Sequence, residues 1–238
     1  MLELLKEDAD NSPSGIANEL NKVGACMVML QCGSLRGYEA FMADLAGLRR
    51  HILKGRDGIM PANPLKRGTD VTGAPHVFLA LMGKFKGELG VREHLIALAS
   101  STISGIETRW WLEKLIQVRE NEGYTSGPAL GNVDGTLASM TEYNAVFKSY
   151  LEKVQGESSK LLGFDEDVHA NYGLNRTFRK TAQGRARAAA LGSDVQDAMN
   201  RWKTVENAQG RRPRFSMRDH YSNARDLMPV TWRYSFVQ

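Results

Sequence analysis

Tyr221 stands in the middle of "FSMRDHYSNARD" (residues 215–226), a polar run with one aromatic hydroxyl. It follows two arginine-dense stretches, "NRTFRKTAQGRARA" and "GRRPR". A phenol has an ordinary pKa near ~10 and is a weak nucleophile at neutral pH. Cations around it favour its phenolate form, and arginine grips phosphate oxygens through planar pairs of N–H groups. A tyrosine so placed is either a half-buried aromatic on a solvated basic surface or a nucleophile aimed at a phosphate. The second chemistry needs further parts. Fixed cations must stabilise the charge that builds up on an already anionic phosphodiester, and a general acid must protonate the leaving oxygen.

The charge distribution is consistent with such a substrate. The chain of 238 residues has a net charge of +4, but residues 171–238 carry thirteen Lys or Arg against five Asp or Glu, a net of +8. The first 170 residues are net −4. A basic, arginine-dominated segment beside an acidic one is an electrostatic footprint for nucleic acid, and also the ordinary composition of a solvated helix face. Two cysteines, Cys26 and Cys32, make no disulfide framework, and no metal-ligand spacing or phosphate-binding glycine loop is present. No metal or cofactor is expected. The most apolar run, "VGACMVMLQCG", is too short to span a bilayer. The start, "MLELLKEDAD", is acidic and unlike a secretion signal. A reduced intracellular compartment is expected.

The elements that must position these residues follow from periodicity. Residues 14–31 have apolar positions at helical spacing with Ser14 as candidate cap. After a Gly-Ser break, "CGSLRGYEAFMADLAGLRRHI" continues a helical pattern with Leu35, Phe41, Met42 and Leu45 on its apolar side. Residues 54–75 are rich in Gly, Pro and Asn and read as a loop. "HVFLALMGKFK" and "VREHLIALAS" flank a Gly-bounded turn, the pattern of a β-hairpin, and Lys84 and Lys86 share one face of an extended strand. "IETRWWLEKLIQVRENEG" predicts a helix ending at Gly123, with Trp110, Trp111, Leu115 and Val118 buried. "LASMTEYNAVFKSYLEKVQ" predicts another, and 156–169 a polar loop that includes His169. "LNRTFRKTAQGRARAAALG" predicts a helix stopped at Gly192, "SDVQDAMNRWKTVE" one capped by Ser193 or Asp194, and "FSMRDHYSNARDLM" one ending before Pro229. The expected fold is a single α+β domain over residues 1–238, mostly helical with a small antiparallel sheet.

Several boxes in this order resemble the catalytic domain of the tyrosine recombinases, the phage-integrase family. "GSLRGYEAFMADL" is similar to the family's first-arginine motif, which implies Arg36 as a catalytic arginine and Glu39 as its supporting carboxylate. The hairpin with Lys84 and Lys86 falls where the family carries a catalytic lysine. Lys86, just before the turn, is the first choice, with Lys84 the alternative. "RTFRKTA" resembles the His-x-x-Arg box, with Arg179 as second arginine and Arg176 in the histidine's place. "NRW" fits a His-or-Trp position at Trp202, and "MRDHYSNA" the nucleophile segment at Tyr221. The Phe-Arg-Lys, Asn-Arg-Trp and His-Tyr-Ser variants are closest to the crypton-like recombinases of eukaryotic transposable elements. Two departures stand out: Arg at 176, and the stretch "VENAQGRRPR" that lengthens the path from Trp202 to Tyr221.

The resemblance implies DNA strand cleavage and rejoining through a 3′-phosphotyrosine, in DNA recombination or integration, with neither metal nor ATP. It implies double-stranded DNA as partner, self-association into a tetrameric synapse, no membrane, and a nuclear location. Arg201 and the "GRRPR" arginines Arg211, Arg212 and Arg214 are candidate DNA contacts. The separate N-terminal DNA-clamping domain of the family is expected to be absent. The alternatives are a truncated or domesticated remnant that binds DNA without cutting it, a type IB-like topoisomerase, and a helical interaction module. The last predicts that the boxes lie apart in the fold. Plainer roles also exist for single residues: Arg36 as a helix-start partner of Glu39 or Asp44, Arg179 as surface charge, Trp202 as core.

Overall fold

A helix with a long apolar run must be surrounded along it, and Ser14–Cys32, with Val23–Leu30 unbroken by any charged or amide side chain, is such a helix. The computed structural model describes residues 1–53, 58–59, 75–85, 90–157, 162–191, 235 and 238. Helix α1 spans Leu2–Asp10 and α2 spans Ser14–Cys32. Every residue of α2 from Leu20 to Cys32 is buried. Ser14 opens the helix but does not cap it: the N-cap position is Pro13, and no side chain caps the end. Around α2 pack α1, α5 (Thr108–Asn121), α6 (Met140–Glu157) and α8 (Thr177–Ala188). The expected apolar side of α5 is in place, with Trp111, Leu115 and Val118 buried and Trp110 partly so. Its end is turned by Gly123 at a φ of +89°, a left-handed conformation that glycine adopts without strain.

Helices α2 and α5 meet over Gly24. A Cβ built there would lie 2.1 Å from Cζ3 of Trp111, inside any tolerable contact. Gly24→Ala is therefore expected to destabilise the protein by about 1–3 kcal/mol through overpacking, although Ala is the better helix former by about 1 kcal/mol. Gly15→Ala, in the first turn of the same helix and with open space around it, is expected to leave stability unchanged or slightly raised. Urea unfolding of the two variants checks the contrast.

The fold class is α+β, mostly helical, with one small antiparallel sheet among the described residues. Strand β1 (Gly58–Ile59) pairs with β2 (Pro75–Gly83), and β2 with β3 (Arg92–Ala99), in a register that sets His76 opposite Ala99 and Gly83 opposite Arg92. The hairpin is the one expected. The segment after α2 differs from its helical expectation. It forms α3 (Gly37–Ala40), breaks at 41–44, and resumes as α4 (Leu45–Leu48) followed by one wide π-type turn, Arg49–Leu53. Bonds to neighbours displace the helical ones at the break. Met82 N–H donates to the Met42 carbonyl (2.7 Å), Asp44 N–H to Ala80 (3.1 Å), and Ala129 N–H to Ala43 (2.9 Å). Asp44 then caps α4 by accepting from Gly47 N–H at 2.7 Å.

Charges lie inside as well. Lys22, Arg119 and Glu122 are buried side chains from α2 and α5. Lys22 Nζ is 2.8 Å from Glu122 Oε1 and donates to the Gly131 carbonyl (2.9 Å). Arg119 Nη1 is paired with Glu122 Oε2 and reaches the Gly131 and Asn132 carbonyls, both at 2.9 Å. The guanidinium lies 4.3 Å above the Tyr124 ring. The two carbonyls tie the 131–132 loop to the helical core. At the other end of α2, Gln31 donates to the Gln238 side chain (3.1 Å), Ala99 N–H to Ser235 Oγ (3.0 Å), and Ser104 and Arg185 to the Gln238 carbonyl.

Candidate active site

Helix α2 ends where Ser34 takes a left-handed conformation (φ 48°), and Leu35 is buried just beyond it. Arg36 follows in extended backbone as the N-cap residue of α3. Glu39, fully buried, holds it twice: the carboxylate accepts from Arg36 N–H at 2.8 Å and from Arg36 Nη1 at 3.2 Å. The same Nη1 lies 3.3 Å from the Tyr38 hydroxyl. One edge of the guanidinium is thus fixed to the protein. Its Nε and Nη2 have no hydrogen-bond partner among the described residues, and the side chain is 27% exposed. An arginine anchored on one edge and open on the other is arranged to grip an oxyanion with two parallel N–H groups.

The second arginine box approaches this turn directly. A Cβ built on Gly37 would lie 2.9 Å from Cα of Asn175 and 2.7 Å from Sδ of Met140. Only a glycine lets the Arg36 turn come so near the residue preceding Arg176. Segment 172–176 is held from its far side: Leu174 N–H donates to Asn144 Oδ1 (3.0 Å), and Gly173 N–H to Thr177 Oγ1 (2.9 Å). In α8, Phe178, Ala182 and Ala186 are buried at i, i+4, i+8 spacing, with the Phe178 ring 5.2 Å from that of Phe147. This sets the helix rotation. Arg179 is half-buried beside Phe178, and Arg176 is exposed at the helix start.

Lys84 is exposed one residue past the end of β2. That strand end is bound to the α3 side of the molecule, because a Cβ on Gly83 would overlap Met42 Sδ at 2.4 Å. Strand pairing stops at Gly83 opposite Arg92, so the lysine lies beyond the regular strand. The Arg36 turn therefore touches the segment that leads into Arg176, and the strand end before Lys84 packs on Met42, just beyond α3. Lys86, Arg201, Trp202, Arg211, Arg212, Arg214 and Tyr221 lie outside the described residues.

Four buried nucleophile candidates, Tyr143, Tyr150, Cys26 and Cys32, are unsuited. Burial pushes the Tyr143 phenol far above its ordinary value. Burial, with a hydrogen bond to Asp8, does the same for Tyr150. Burial raises the Cys26 thiol, and the Cys32 thiol to about 11. No group of three or more His, Cys, Asp or Glu that could hold a metal occurs among the described residues, and no described helix is long and apolar enough to cross a membrane.

Beside the Gly37–Asn175 contact opens a polar cleft of about 340 Å³ between α6 and the connection from α7 (Val168–Asn171) to α8. Asn144, Lys148, His169, Asn175 and Arg176 line it. His169, expected in a loop, belongs to this short helix α7. Apart from Arg176, these residues carry no signal in the sequence beyond a polar side of α6 at i, i+4 spacing. Nothing local to Tyr38 in the sequence signals that its hydroxyl meets Arg36. Comparison of the chain with protein-family models, with curated proteins and with solved structures returns no match.

Proposed function

We propose that this chain is the catalytic domain of a DNA strand-breaking-and-rejoining enzyme of the tyrosine-recombinase type, close to the crypton-like variant. The observation that carries the reading is the contact of the Arg36 turn with the segment leading into Arg176 and Arg179. Arginines that act on one phosphate must lie on neighbouring segments, and this contact supports that requirement for the first and second boxes. In the proposed reaction the Tyr221 phenolate oxygen attacks a phosphodiester phosphorus. An O–P bond to tyrosine forms, the P–O5′ bond breaks, and the strand is left as a 3′-phosphotyrosine. The departing 5′-oxygen takes a proton from Lys86 or Lys84. Arg36 offers Nε and Nη2 to the non-bridging oxygens, Arg179 and Arg176 add charge from the α8 side, and Trp202 completes the set. Reversal by an incoming 5′-hydroxyl rejoins the strand, so bond energy is conserved. The partners are duplex DNA and further copies of the chain, and the proposed location is the nucleus. Arg201, Arg211, Arg212 and Arg214 serve as backbone contacts, which makes binding steeply salt-dependent.

The test is covalent trapping. Nicked duplexes drawn from DNA flanking the gene are incubated with the protein and with Tyr221→Phe, then resolved on a denaturing gel. An adduct that disappears in the variant is the expected result. Absence of an adduct with low-salt DNA binding intact would replace the catalytic reading with a binding remnant. Loss of both would remove the DNA reading altogether. Relaxation of supercoiled plasmid lacking any such site would favour a type IB-like topoisomerase.

A further inference from the structure

We propose that the cleft between α6 and the α7–α8 connection is a phosphate site beside the strand-cutting set, sharing Arg176 with it, in which Lys148, Asn144 and Arg176 hold one phosphate oxyanion. Its volume of about 340 Å³ is within the range of ligand sites. Its lining is mainly hydrogen-bonding groups rather than the apolar wall that a hydrophobic ligand would need. The donors are oriented. Asn144 Oδ1 accepts from Leu174 N–H at 3.0 Å, and only the oxygen of the amide can do so. Its NH₂ group has no partner among the described residues. Lys148 Nζ donates one hydrogen to the His169 carbonyl at 2.8 Å, which pins the ammonium at the rim with two hydrogens left over. The Arg176 guanidinium makes no hydrogen bond or ion pair among the described residues.

Lys148 and Arg176, which line the cleft, are both cationic. No carboxylate lines it. Three carboxylates that bond to its lining residues are engaged: Glu152 with His169 Nε2 (2.7 Å), Glu166 with Asn171 Nδ2 (2.7 Å), and Asp167 accepting from Ala170 N–H (2.9 Å). Two cations and a neutral donor lining one cleft suit a tetrahedral oxyanion, because charge-assisted bonds to phosphate are the strong ones. Such a phosphate has two sources: a phosphodiester of a DNA strand, or free phosphate. Because Met140 and Asn175 belong both to this cleft and to the Gly37 contact, a strand held at Arg36 would pass over it. In that form the inference rests on the proposed function; the site itself does not.

The test uses the full chain, ¹⁵N-labelled, titrated with inorganic phosphate, beside the double variant Asn144→Asp with Lys148→Gln. Aspartate keeps the acceptor for Leu174 N–H and glutamine keeps a donor for the His169 carbonyl, so a dispersed spectrum in the variant confirms that it folds. The expected result is saturable shifts confined to amides around the cleft, weakened at least tenfold in the variant. Shifts scattered over the basic surface, or equal in both proteins, would overturn the site. DNA binding measured against salt then separates the sources. A slope reduced by about 0.9 marks one lost phosphodiester contact, whereas an unchanged slope with phosphate binding lost marks free phosphate as the occupant. The trapping assay is run on the parent protein, because Asn144→Asp sets a carboxylate in the cleft that Arg176 lines. A failed trapping assay with the phosphate shifts intact would therefore sink strand cutting and leave the cleft standing.

Discussion

Glu122→Ala is expected to cost about 3–5 kcal/mol of folding stability, the usual result of leaving buried charge without its counter-ion. Lys22 and Arg119 both lean on this one carboxylate. Without it, Lys22 keeps only Glu19, which pairs with it at 3.1 Å from a half-exposed position. The Gly131 and Asn132 carbonyls satisfy N–H groups but do not neutralise charge. For a chain of this size the loss corresponds to a fall in Tm of roughly 6–20 °C. Glu113→Ala breaks an exposed pair with Arg109, 2.8 Å long on the surface of the same helix, and is expected to change stability by less than about 1 kcal/mol. Urea midpoints at constant slope give the comparison. A Glu122 variant as stable as the Glu113 variant would mean that water reaches the buried triad and screens it.

Arg36→Ala is expected to slow adduct formation about 10²–10³-fold, the typical cost of removing one preorganised donor at a developing charge. Equilibrium DNA binding should fall far less, because one phosphate contact among many is lost. The geometry predicts which replacement fails. Arg36→Lys keeps the charge but cannot hold Glu39 with one edge and a phosphate with the other, so it is expected to recover little of the rate. Glu39→Gln keeps an acceptor for Arg36 N–H while loosening the guanidinium, and should fall between the parent and Arg36→Ala. Single-turnover rates on a nicked duplex give the ranking. Equal rates for Arg36→Lys and the parent protein would reduce Arg36 to a point charge.

The candidate site was partly legible from residue types in order along the chain. Arg36 with Glu39 three residues on is a local pairing that one turn of helix enforces, and the structure has it. Arg176 and Arg179 fall on a helix whose apolar stripe is read from Phe178, Ala182 and Ala186. The cleft residues Asn144, Lys148 and His169 were not legible. They come from two helices, and their convergence depends on how the 172–176 segment folds back.

By itself the sequence determined the elements whose signal is local. These are the apolar helix α2, the hairpin of β2 and β3, helices α5, α6 and α8, and the division of the chain into an acidic part and an arginine-rich part. Periodicity carries these because each depends on neighbours three, four or two residues away. Only the tertiary structure decided the rest. The helical pattern after Arg36 breaks at 41–44 because Ala80, Met82 and Ala129, remote in sequence, take up its backbone bonds. Lys22, Arg119 and Glu122 are drawn inside because α2, α5 and the 131–132 loop together satisfy them. Arg36 meets the second arginine box because Gly37 has no Cβ to keep Asn175 away. Each of these is a backbone or side-chain approach between distant segments, and spacing along a chain does not encode the shape of what arrives from elsewhere.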